Sequence, residues 1–306
     1  MTQAAFLLWA SLLVALPVPL AWGVANRWRA RTPGAGRDAR PGRPPWRAML
    51  GSMLLYVLAF NLTFFVQEVF LVLPKAFTPG LQPTLFHNNH RWAGEHPLAA
   101  LFQGTGALAT ALMGLACLRA ARRGAGRTPA RRMLLVWLAF AGLLMALPQV
   151  VIGALSGGSD VGMAMDYLGL PPAARTLAAC LALPAIALVA LALRRPVLEI
   201  ATDADASMTP AARARHMLWR VTVPALLATV LILPYRVPRE WLEVALLPVL
   251  VTVPGIAWMQ AGAWRDVGAT PRIRGRWPLA WLVLAALALL AFFQGVLRPG
   301  VPFHWT

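Results

Sequence analysis

The chain has 306 residues, 59% of them hydrophobic and only 13% charged, with a mean hydropathy of +0.63. A soluble domain of that balance would lack polar surface, so an integral membrane protein is expected. The formal net charge of +17 would suggest nucleic acid if it formed a patch or an arm, but the basic residues are dispersed over alternate loops, which excludes that partner.

Eight apolar stretches approach the roughly 20 residues needed to cross a hydrocarbon core of about 30 Å. They lie near residues 4–24, 48–73, 98–118, 133–154, 176–193, 217–234, 242–263 and 278–297. The expected fold is an all-α polytopic membrane helix bundle, a single transmembrane domain over residues 1–306. The loops near 27–47, 119–132, 194–220 and 264–277 hold 22 of the 28 basic residues and five of the 11 acids. The whole net charge therefore lies on one face. The positive-inside rule places those loops in the cytoplasm and both termini outside, and Trp28, Trp46, Trp219, Trp264 and Trp277 flank them as an interfacial belt would. Arginine outnumbers lysine 27 to 1, a usage that points to a bacterial inner membrane.

In chain order, the first stretch has no basic leader region and no small-residue cleavage site, so it reads as a retained span. Residues 31–45, rich in Pro, Gly and Arg, read as a basic linker that attracts anionic lipid headgroups or docks a protein partner. The second span carries Asn61, Gln67 and Glu68 in its outer half, where a carboxylate near the bilayer must pair, protonate or meet water. Asn61 and Glu68 are two helical turns apart and share a face, and Lys75 or an outer arginine is the expected partner of Glu68.

The following outer loop, punctuated by Pro74, Pro79, Pro83 and Pro97, contains the segment His87-Asn88-Asn89-His90-Arg91-Trp92-Ala93-Gly94-Glu95-His96, with three of the five histidines of the chain. His87 and His90 are spaced to share one face of a single helical turn, and Gly94 supplies a flexible point before His96. Three imidazoles with an open position would suit a divalent transition metal, Zn or Cu, with Glu95 or Glu68 as a further ligand or general base. No His-Glu-x-x-His or other strong zinc pattern occurs. Without a metal, His87, His90 and His96 with Asn88, Asn89, Arg91 and Trp92 would bind a substrate or lipid headgroup, or serve a structural turn.

In the third span Gln103, Gly106, Thr110 and Gly114 form one small, weakly polar stripe that permits close helix approach. Gln149 and Gln294 have similar depth in spans four and eight, where interhelical hydrogen bonding is the expected role. Asp160, Asp166, Arg236, Arg239, Glu240, Glu243 and His304 are further outer groups able to complete a site. Glu199, Asp203 and Asp205 form an acidic loop on the cytoplasmic side, and Cys117 and Cys180 read as packing residues without a disulfide. The sixth span is short, with Arg220 near its start and prolines at 224 and 234, so a tilted, kinked or re-entrant path is open.

The sequence thus leads to an outer-face site. The leading expectation is a metal-dependent membrane enzyme acting on a lipid or lipid-linked substrate. In it Glu68 and Glu95 are the acid/base groups, His87, His90 and His96 the metal ligands, and Asn61, Gln67, Asn88, Asn89, Arg91, Trp92 and Gln103 the substrate contacts. The alternative is a permease or the membrane subunit of a transport or assembly complex, with the same polar cluster as a binding vestibule.

Overall fold

A computed structural model of the chain describes residues 2–30, 45–200, 209–238, 241–265 and 267–303, without the side chains of 241–243. Most of the basic linker, Asp203, Asp205, Arg239, Glu240, His304 and the Glu243 side chain lie outside the described residues. The protein is an all-α helix bundle whose eight long apolar helical spans match the eight predicted stretches. The first span is broken at Leu16 and Pro17 into α1 (Gln3–Ala15) and α2 (Pro17–Arg29), because proline supplies no backbone donor and clashes with the preceding turn. The remaining spans are α3 (Trp46–Ala76), α4 with α5 (Leu98–Leu101 and Gly104–Arg122), α6 (Pro129–Leu155), α8 (Pro172–Leu198), α9 with α10 (Pro210–Met217 and Val223–Arg236), α11 (Trp241–Gly262) and α12 (Leu279–Phe292). A short helix, α7 (Asp160–Tyr167), lies between α6 and α8.

Local chemistry sets the helix starts. Thr128 and Thr209 cap the amides of Arg131 and Ala212, and each is followed by a proline at the first helical position, where its fixed φ and missing donor suit the helix. The sixth span is not re-entrant: α9 continues through a π-helical turn, Leu218–Thr222, into α10, giving 27 residues in all. The helices carrying Pro184, Pro248 and Pro254 likewise continue through them.

The core lies where α3 meets α6. Tyr56 and Trp137 approach with ring centroids 4.4 Å apart, and Phe140 stands edge-on to both. The small stripe of α5 works as the spacing predicts. A Cβ on Gly106 would press on Gln67 and Leu71 of α3, and one on Gly114 would meet Gly142 and Leu143 of α6, so these positions hold the backbones close.

The proline-punctuated loop differs from expectation. It is an antiparallel hairpin, β1 (Gln82–Leu85) and β2 (His90–Ala93), extended by a C-terminal strand β3 (Val301–Pro302) in the order β2-β1-β3. Leu85 pairs with His90, and the Phe86 amide donates to the Asn89 carbonyl across the tip. His87 and His90 therefore do not share a helical turn: His87 is in the tip and His90 opens the return strand. Gly94 is required at the hairpin base for a fixed conformation, φ +89°, in which a Cβ would collide with the Gly80 carbonyl. Both described ends of the chain lie at this hairpin end, since Gln3 donates to the Pro172 carbonyl and Val301 pairs with Leu85.

The opposite, arginine-rich end is organised by Glu199. Its carboxylate meets Arg132 at 3.2 Å, Arg272 at 3.4 Å and Arg195 at 3.5 Å. Its carbonyl accepts from the amides of Arg272 and Ile273, which ties two loops together.

Candidate functional site

The second span brings Glu68 to the hairpin end, and β2 lays His90 over it. His90 Nδ1 lies 2.9 Å from Glu68 Oε2, with the two side chains only 8% and 7% exposed. His90 Nε2 lies 3.0 Å from Gln103 Oε1, on the linkage between α4 and α5. Each ring nitrogen thus lies within hydrogen-bond distance of a side-chain oxygen. The Glu68 carboxyl group lies beneath the ring in a setting from which water is largely excluded.

Lys75, fully buried at the end of α3, extends the cluster. Its ammonium donates to the Leu71 carbonyl at 2.7 Å and to Gln103 Oε1 at 3.4 Å, and stands 4.8 Å above the Trp92 ring. Trp92 also stacks on His90, centroids 5.8 Å apart and planes at 14°. The indole thus packs against both the Lys75 ammonium and the His90 ring. Asp160, in the first turn of α7, lies within electrostatic reach of the same groups. Burial pushes its carboxyl above the usual carboxylate range, Glu68 adds to the rise, and His90 and Lys75 oppose it. Gln149 of α6 donates to Gln67 Oε1 at 2.9 Å, closing the side of the cluster facing α6.

Below Glu68, the same face of α3 carries buried Phe64, Phe60, Tyr56 and Ser52 at four-residue steps. The aromatic members fill the core against α6, while Ser52 accepts from Trp137 Nε1 at 3.0 Å and donates to the Arg220 carbonyl. Two buried polar layers, one at each end, are therefore separated by packed rings.

The other predicted site residues have separate places. His87 Nε2 lies 3.0 Å from the Val237 carbonyl, and Asn88 donates to the Arg236 carbonyl at 2.8 Å, so the hairpin tip is anchored on the end of α10. Arg236 is buried over the Phe64 ring at 4.5 Å. His96 Nδ1 accepts from the Leu98 amide at 3.2 Å, capping the start of α4. Among the described residues Glu95 is exposed and makes no hydrogen bond or ion pair. Arg91 is exposed over the Phe86 ring, and the Asn89 carbonyl serves the hairpin tip. Asn61 is buried and donates to the Val57 carbonyl of its own helix, so it does not reach Glu68.

His87, His90 and His96 do not converge. Among the described residues no group of three His, Cys, Asp or Glu side chains is placed to hold a metal ion. The donors in this arrangement do not fit Zn or Cu coordination, which requires several of them within about 2.0–2.3 Å of one point. The expectation that Lys75 or an outer arginine pairs with Glu68 is also corrected: His90 takes that position, since strand pairing brings it over α3. No family model, no curated protein and no solved structure matches the chain.

Proposed function

We propose that this multi-pass membrane protein carries out acid/base chemistry at its hairpin end, on the outer face of a bacterial inner membrane, with a lipid or lipid-linked molecule as substrate. The observation that supports it most is the buried contact between Glu68 and His90, completed by Gln103. In this reading Glu68 orients the imidazole through Nδ1 and stabilises its protonated form. His90 Nε2 is the proton-transferring atom, and Gln103 holds the position that a substrate oxygen would take. Lys75 places positive charge beside developing negative charge on that oxygen. Trp92 and the hairpin exclude water, so the electrostatic interactions act in a low dielectric.

The packed rings of Phe60, Tyr56, Trp137 and Phe140 beneath the cluster favour chemistry confined to one face over passage through the bundle. The reading is tested with purified protein in vesicles made from the lipid extract of its own cells, followed by mass spectrometry. The native protein converts at least one lipid species and the His90→Asn variant converts none. Unchanged lipids with the native protein, or equal conversion by the variant, would overturn it.

A further inference from the structure

At the arginine-rich end, far from Glu68, a groove of about 420 Å³ lies between α2, α10 and α11, a volume within the roughly 300–1,000 Å³ of small-molecule sites. Leu20, Val24, Leu226 and Ile256 make its long apolar part, and Arg27 and Trp264 stand at its polar end. Leu20, Val24 and Leu226 are also exposed, so the groove opens sideways toward lipid. From Leu16 to Arg27 it spans eleven residues of a mostly helical segment, roughly 16 Å at the helical rise. That is about one leaflet of a hydrocarbon core some 30 Å thick.

Its walls are held apart by specific contacts. Asn26 donates to the Ala261 carbonyl and the Trp258 indole donates to the Val14 carbonyl, fixing the first span on α11. Gln260, which also lines the groove, is engaged by Thr222 and the Ala214 carbonyl.

The arginines around this end divide into two kinds. Arg194 donates to the Gly262 carbonyl, and Arg213 to the carbonyls of Ala263 and Trp264, so both are committed to the C-terminal carbonyls of α11. Arg27 lies over the Trp264 ring at 5.7 Å and Arg265 over the Trp22 ring at 5.9 Å. Among the described residues neither has an acidic partner. Arg27, supported by the Trp264 indole, thus stands at the polar end of an apolar slot one leaflet deep, whereas Arg265 does not line it.

We propose that this groove binds one acyl chain of an anionic glycerophospholipid from the adjacent leaflet, with the phosphate at Arg27. The occupant is a lipid because the slot opens to the bilayer along its length. It is anionic because Arg27 has no acidic partner among the described residues and a weakly hydrated guanidinium group suits phosphate.

Native mass spectrometry of the full-length protein in detergent, after exposure to an equimolar mixture of phosphatidylglycerol and phosphatidylcholine, tests the assignment. One phosphatidylglycerol is retained in preference to phosphatidylcholine. The Arg27→Gln variant loses that preference by about fivefold, as expected when one cationic anchor near a membrane surface is removed. Ala257→Phe, which fills the slot, loses the bound lipid, and Arg123→Gln on another basic loop retains it. The charge-keeping Arg27→Lys is compared with the neutral Arg27→Gln, with greater retention expected for lysine. Equal retention of both lipids by the native protein, unchanged phosphatidylglycerol in Ala257→Phe, or no difference between lysine and glutamine at position 27 would overturn the proposal.

Discussion

Glu68 and His90 stand 22 residues apart in sequence and meet at 2.9 Å, one on a membrane-spanning helix and the other on the strand that covers it. The pair therefore reports the docking of the hairpin on the bundle. Removing one partner leaves the other buried without compensation. Glu68→Ala is expected to destabilise the protein by about 3 kcal/mol. His90→Ala acts in the same direction, and the double variant falls short of the sum by about 1–3 kcal/mol of coupling. Denaturation of the four proteins in one detergent measures the cycle. Strict additivity would mean that the contact contributes nothing.

Asp160 makes stability depend on pH. Burial, reinforced by Glu68, raises its folded-state pKa against the opposing effects of His90 and Lys75. The folded protein thus holds this proton more tightly than the unfolded chain. The associated stability is full below the ordinary aspartate value of about 3.9 and is lost as pH rises through the raised value. Asp160→Asn removes this dependence, so the variant gains on the native protein as pH increases. Melting temperatures of both across that range check the sign, and parallel profiles would contradict it.

At the other end, the partners of Glu199 differ in exposure. Arg132 is 2% exposed at its side chain, whereas Arg195 and Arg272 are 58% and 60% exposed. Glu199→Gln leaves the buried Arg132 without its counter-charge and is expected to destabilise by about 3 kcal/mol. Arg195→Gln and Arg272→Gln each change stability by less than about 1 kcal/mol, because solvent screens those contacts. Thermal or denaturant unfolding of the three variants distinguishes the two cases.

The number and order of helices were legible because about 20 apolar residues leave few alternatives in a bilayer. Gly106, Thr110 and Gly114 were legible for a related reason, since helix spacing alone puts them on one face of α5. The partner of Glu68 was not. It depends on the register Leu85–His90 across the hairpin, and a four-residue strand with a proline in it gives little periodicity to read. The local clustering of His87, His90 and His96 suggested one site, but the hairpin turn sends His87 to α10 and leaves His96 to cap α4. Sequence proximity was a poor guide there because strand reversal separates neighbours that a helix would have aligned.

The proposed topology, in which the hairpin faces the outside of the membrane, follows from the charge distribution through the positive-inside rule and is open to direct test. In a variant with Cys117 and Cys180 replaced by alanine, a cysteine at Ala93 is expected to react with a membrane-impermeant maleimide in intact cells. One at Ala125, in the arginine-rich loop, reacts only after permeabilisation. Both native positions are exposed, so burial does not confuse the result, and the reverse pattern would invert the topology.

The central claim is that Glu68 acts through its charge on His90. Lipid profiles of cells lacking the protein and complemented with native, Glu68→Asp or Glu68→Gln chains, at matched membrane levels, test it most directly. The native chain should restore the profile, aspartate should restore part of it, and glutamine, nearly the same in shape but without the charge, should leave the profile of the deletion. Full restoration by Glu68→Gln would contradict the claim.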